Sequence, residues 1–172
     1  GAMPCLLRLL ELGSEVGKER AVGAIINMVT DNSNLKIEVV DGGGVPFLVG
    51  FLQSGHAEKM QAIAARSLAE LAYRTNAEHW ETIKDAGAVG MLVPLLDSDE
   101  EEVLVEAART LRKMTEDVPE YIEELKEHNI QHAVVKVLSR QCEQAQLEAL
   151  DIVQVLMMDL EDQNALMRAG AG

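Results

Sequence analysis

Apolar residues in this chain fall into short blocks separated by polar breaks, and one order of blocks returns at a nearly constant interval. Gly43, Gly87, Asn129 and Gly170 each close a short apolar segment, at intervals of 44, 42 and 41 residues. A compact apolar run follows the first three: Val45-Pro46-Phe47-Leu48-Val49, Val89-Gly90-Met91-Leu92-Val93 and Gln131-His132-Ala133-Val134-Val135. Met3-Pro4-Cys5-Leu6-Leu7 opens the chain in the same way. Polar breaks come next, at Ser54-Gly55-His56, from Asp97 to Glu100 and at Ser139-Arg140-Gln141. Each leads into a longer stretch with apolar residues at helical spacing, such as Met60, Ile63, Ala64, Leu68 and Leu71, or Val103, Ala107, Leu111 and Met114. A final short piece carries Leu35 to Val40, Trp80 to Ile83, Tyr121 to Leu125 and Ala165 to Met167. The pattern predicts three helices per unit, joined by a Gly or Asn suited to the left-handed conformation just past a helix end.

A period in the low forties with helical patterning inside each unit predicts an α-solenoid, a stack in which each unit contacts only its neighbours. The repeats fall at about 3–44, 45–88, 89–130 and 131–172, in a single solenoid spanning 3–172. Pro4 and Pro46 suit the first turn of a helix, where a missing N–H costs nothing. Pro94 lies about a turn in and is expected to kink or shorten its helix. Gly1-Ala2 reads as a remnant of tag removal. Four units in the same phase at both ends, with Leu6, Leu7, Leu9 and Leu10 lacking a polar cap, suggest an excerpt of a longer array or end-to-end self-association.

These residues resemble the armadillo-repeat family. The match is to its pattern of Gly-Val-Pro-x-Leu-Val, then Ala-Ala-x-Ala-Leu-x-Asn-Leu, then Ile-x-x-Ala-Gly, and it extends over essentially the whole chain. The resemblance implies an all-α, right-handed superhelical solenoid of armadillo-type units (close to the HEAT type) whose long helices line a concave face. It also implies a ladder of Asn residues for gripping peptide backbone, with Trp one turn earlier. Here the Asn position holds Asn27, Glu70, Lys113 and Val155, and the Trp position holds Gly23, Arg66, Arg109 and Asp151. A groove reading peptide backbone through Asn amides is therefore not expected, since Lys and Val cannot both donate and accept.

Charge adds a second layer. The net charge is −14 in 172 residues, which argues against nucleic acid and anionic membranes as partners, because both are bound through Lys and Arg. Within that acidic chain, Arg66, Arg109 and Lys113 form a basic spot on the expected concave face. Together with Asn27, Glu70 and Asp151 they are the candidate partner-binding residues, suited to an acidic segment or to a carboxylate on a folded domain. The competing reading pairs Arg66 with Glu70, and Arg109 with Glu70 or Asp151. The run Asp97-Ser98-Asp99-Glu100-Glu101-Glu102 is expected to be a solvated loop and first turn. Trp80 is expected at a joint between units.

The remaining motifs are weak. His128 and His132 lie four apart with a helix terminator between them and no third ligand at matched spacing, so no metal is expected. Gly42-Gly43-Gly44 lacks the strand and the Gly-Lys-Ser/Thr of a phosphate loop. No Ser-His-Asp, Cys-His or paired-carboxylate arrangement stands out, and neither catalysis nor a cofactor is expected. Cys5 and Cys142 sit in different units and fit a reducing compartment, cytoplasm or nucleus. The function expected is a protein-interaction scaffold, with two rivals: a co-chaperone-like module embracing a folded partner, and a structural or self-assembling spacer.

Overall fold

The computed structural model of the chain describes residues 1–53, 55–73, 77–118 and 120–170, with 77, 117 and 159–170 as backbone alone. Among these residues there is no strand. Eleven helices run α1 (Met3–Leu12), α2 (Glu15–Val29), α3 (Ser33–Asp41), α4 (Gly44–Gly50), α5 (Glu58–Ala72), α6 (Ala77–Asp85), α7 (Ala88–Leu95), α8 (Glu101–Asp117), α9 (Glu120–Glu127), α10 (Ile130–Leu138) and α11 (Glu143–Gly170). The medium, long and short helices recur in that order three times, and the fold is an all-α solenoid.

Local chemistry sets the helix ends. Ser14 caps α2 by accepting from the Gly17 N–H at 3.2 Å, and Asn32 caps α3 by accepting from the Leu35 N–H at 3.2 Å. The joints take the left-handed conformation the pattern asked for: φ is +75° at Gly43, +74° at Gly87 and +56° at Asn129. Gly44 has a different reason to be glycine. A Cβ there would lie 2.8 Å from Val39 Cγ1 and 2.9 Å from Leu7 Cδ2, so α4 can approach α1 and α3 only without a side chain. Pro94 lies inside α7, which runs on to Leu95 and is no shorter than α4, so the expected shortening is not seen.

The core is one continuous aliphatic cluster from Met3 to Leu156. Long helices stack in series, α2 on α5, α5 on α8 and α8 on α11. Small residues make the close approach possible, and Ala62, Ala64, Ala65, Ala69 and Ala72 of α5 are all at most 1% exposed. Thr110 fastens one such contact, donating its hydroxyl hydrogen to the Ala65 carbonyl at 2.9 Å. Trp80 does pack at a joint. Its ring meets Tyr121 edge-on at 6.0 Å, and the Tyr121 hydroxyl donates to the Trp80 carbonyl at 3.1 Å.

One expectation fails. The fourth unit was expected to break before a short helix at Ala165 to Met167, but α11 runs unbroken for 28 residues. No Gly or Pro lies between 143 and 169, and the segment is rich in Leu, Met, Glu and Ala, which favour helix continuation. By contrast, the chain turns after α2 at Asp31, whose φ is +59°.

The joint of Trp80 and Tyr121 also holds a carboxylate in an unfavourable setting. Glu124 Oε2 is buried without a hydrogen-bond partner. Burial raises its proton affinity above the ordinary value, and Glu127 and Asp85 add to this, while Lys84 and His128 work against it. The folded state thus holds this proton more tightly than the unfolded chain. Stability is therefore expected to fall as pH rises from the ordinary carboxylate range through the raised value. Glu124→Gln should flatten that slope and raise the melting temperature at neutral pH, and melting curves from pH 4 to 8 would check both.

Candidate functional site

The long helices stack in series as a ridge of four and carry the candidate residues: Asn27 on α2, Arg66 and Glu70 on α5, Arg109 and Lys113 on α8, Asp151 on α11. Their charges are matched across helices. Arg66 Nη2 donates to Glu106 Oε1 at 2.8 Å and lies 3.5 Å from Glu102. Arg109 donates from Nη1 to the same Glu106 oxygen at 2.8 Å and from Nε to Glu148 Oε1 at 3.2 Å. Lys113 Nζ donates to Glu70 Oε1 at 2.8 Å. The hydrogen bond to Glu106 raises the Arg66 guanidinium pKa above its usual value.

The basic spot read from the sequence is therefore not a free one. Nor is the competing pairing the one found: Glu70 takes Lys113 rather than Arg66 or Arg109, and Asp151 stands 3.7 Å from Arg112. Arg112 also pairs with Glu148 at 2.5 Å and with Glu116. Sequence reasoning missed Glu106, Arg112 and Glu148, which carry most of the ladder. The available hints were charge opposition at i, i+3 between Glu106 and Arg109 and at i, i+4 between Arg112 and Glu116.

Glu106 is the unusual member. It is 3% exposed, one oxygen accepts from two guanidinium groups, and the other, Oε2, has no partner. It lines an open cleft of about 380 Å³ together with Glu101, Glu102, Val105, Arg109 and Gln144. At the other end of the ridge, Gly23, Ala24 and Asn27 line a cleft of about 430 Å³ with Glu19, Arg20, Lys59 and Ile63. Glycine at the expected Trp position opens this space beside the one Asn that remains.

The acidic run behaves as a loop and first turn, with α8 beginning at Glu101. It is tied to the following unit: Arg140 donates to the Ser98 carbonyl at 2.6 Å and the Asp97 carbonyl at 2.9 Å, and Lys136 donates to Asp97 Oδ2 at 3.1 Å. The Lys136 hydrogen bond lowers the Asp97 carboxyl pKa below its usual value. His128 and His132 line a shallow cleft of about 280 Å³ with Asp97 and Asn129. No group of three metal-ligating side chains occurs among the described residues. Nor is any helix among them long and apolar enough to cross a membrane.

Known proteins share this architecture. Residues 76–116 match the family described as Armadillo/beta-catenin-like repeat. Importin subunit alpha-6 of Arabidopsis thaliana is 39% identical over 82 residues, 48% of this chain and 15% of that protein. A designed armadillo repeat protein in complex with the peptide (KR)4 superposes with a TM-score of 0.83 at 29% identity, covering 91% of this chain and 64% of the other. A computationally designed armadillo repeat protein for modular peptide recognition gives 0.82 at 28% identity, covering 90% and 64%. The chain thus spans a small part of the importin relative and about two thirds of the designed ones. With three-helix units, left-handed joints at a matching period and these likenesses, the chain has the fold of armadillo-repeat proteins and carries an armadillo-type repeat at residues 76–116.

Proposed function

We propose that this chain is a protein-interaction module whose long-helix ridge, the concave face of the solenoid, receives an extended segment of a partner protein bearing a cationic side chain. The observation that carries the reading is Glu106. A buried carboxylate oxygen without a donor is costly, by about 1–3 kcal/mol or more for a charged group, and an ammonium or guanidinium entering the adjoining cleft would supply the missing donor once the Glu106 carboxylate turns toward it. Glu101 and Glu102 at the rim add attraction. Because Arg66, Arg109 and Lys113 already pair within the chain, the partner charge proposed is positive, not the negative one their side chains suggested in isolation. The designed relative that binds (KR)4 supports the sign. Asn27, beside Gly23, would hold backbone amide groups of the same segment, with Glu70 and Asp151 flanking its path. Such a partner would be met in the cytoplasm or nucleus.

The test is isothermal titration with an alternating Lys-Arg peptide and an alternating Glu-Ser peptide of equal length. The basic peptide should bind, with affinity falling as salt rises. Glu106→Gln should weaken it by about tenfold, equivalent to about 1.4 kcal/mol, with the helical signal intact. Preference for the acidic peptide, or indifference to Glu106→Gln, would sink the reading. Binding only to an intact folded domain would favour the embracing mode instead.

A further inference from the structure

The long helices are joined by ion pairs at a fixed register, and one step of the stack lacks the pair that the other two share. From α5 to α8, Arg66 meets Glu106, 40 positions later; from α8 to α11, Arg109 meets Glu148, 39 positions later. From α2 to α5 the register is fixed by Lys59 on Glu19, again at a separation of 40. In place of an Arg–Glu bridge, that register sets Gly23 opposite Ile63, and both line one open cleft of about 430 Å³. A Cβ built on Gly23 meets nothing within 4 Å, so the helix packing does not require the space.

The charges of this cleft leave one cation over. Glu19 and Lys59 neutralise each other. Arg20, one turn before Gly23, is exposed and makes neither a hydrogen bond nor an ion pair among the described residues. Its field reaches Glu19, but Lys59 holds that carboxylate. On its own helix, the positions three and four away are Val16, Gly17, Gly23 and Ala24, so none offers an acid. Asn27, one turn after Gly23, has an exposed and unpaired amide. The 43-residue spacing that relates Gly23, Arg66 and Arg109 also relates Arg20, Ile63 and Glu106. At this level the ridge is therefore positive on α2, apolar on α5 and negative on α8. A carboxylate from outside the chain would give Arg20 the partner that Arg66 and Arg109 find within it.

We infer that the ridge takes a bipolar partner segment, with a Glu or Asp side chain on Arg20 in the α2–α5 cleft and a Lys or Arg side chain at Glu106. Two helix steps of roughly 8–10 Å each separate the anchors by about 16–20 Å. Extended chain at roughly 3.3 Å per residue covers that span in about five to six residues. The inference rests on the reading of Glu106 given above and adds to it an acidic anchor, a spacing and thereby an orientation.

The probe is a synthetic Ser/Gly peptide with Lys-Arg at one end and Glu at the other, about five residues apart. It is compared with a version carrying Gln for Glu and with one whose spacer is cut by half. Fluorescence anisotropy should show the Glu peptide binding about three- to fivefold more tightly than the Gln peptide. The gain should vanish with the short spacer and in Arg20→Gln. General attraction to a chain of net charge −14 gives the opposite order, because the Gln peptide is the more cationic. Arg20→Glu should shift preference to a peptide with Lys at both ends. Arg20 is exposed, so circular dichroism should show both variants folded. Equal binding of the Glu and Gln peptides, or a gain that survives Arg20→Gln, overturns the inference and leaves a Glu106-dependent basic anchor standing. If Glu106→Gln changes nothing while the Arg20-dependent gain persists, the cationic anchor falls and the bipolar assignment with it. Absence of binding by every peptide overturns both readings.

Discussion

Leu111→Ala is expected to lower the unfolding free energy by about 2–5 kcal/mol, the range for removing a fully enclosed leucine. Leu111 is 0% exposed and sits midway along α8, the helix that packs against α5, α7, α9 and α11. Truncation there leaves a void between helices whose backbones are already close, so little collapse is available to refill it. The exposed Leu150 is the internal control: its change to alanine should stay within about 0.5 kcal/mol. Urea denaturation followed by circular dichroism would report both. In a solenoid each unit contacts only its neighbours, so damage in the middle divides the stack into two weaker halves. The Leu111→Ala transition should accordingly broaden as well as move. A loss for Leu111→Ala no larger than for Leu150→Ala would contradict the packing described here.

Much of this architecture is legible in the sequence because the features that set it are local. A glycine or asparagine at each joint answers to the sign of φ at Gly43, Gly87 and Asn129. The unbroken α11 was misread because repetition was extended to a stretch that lacks any breaking residue. The ion pairs were misread for a different reason. Within one helix, Arg66 and Glu70 are natural partners four residues apart, and that spacing is visible in the chain. Across the stack, α8 brings Glu106 to 2.8 Å from Arg66 at a sequence separation of 40. Inter-helix register decides the competition, and no local pattern encodes it. Of the candidate residues, Glu70 and Lys113 pair directly, and the state of the other charges depends on Glu106, Arg112 and Glu148, which no motif marks.

That network yields the second large effect, and its sign depends on which partner is removed. The double variant Arg66→Ala/Arg109→Ala leaves Glu106 enclosed and without a cation, and is expected to lose about 3 kcal/mol. Removing the carboxylate instead is far milder. In Glu106→Met the Arg66 side chain, 43% exposed, returns to water, while Arg109 keeps Glu148 as a partner at 3.2 Å. A methionine fills the same space without an unsatisfied oxygen, so the net change should lie within about 1 kcal/mol of zero. The triple variant, with both arginines truncated and Glu106→Met, should therefore be more stable than the arginine double variant, although it carries one more substitution. A reversal larger than the effect of Glu106→Met alone cannot arise from independent, additive contributions; it requires the three side chains to act as one unit. Chemical denaturation of the four proteins at neutral pH closes the cycle. If the triple variant is the least stable, Glu106 is not held by the two guanidinium groups, and its free oxygen loses its claim to be an anchor for a partner's cation.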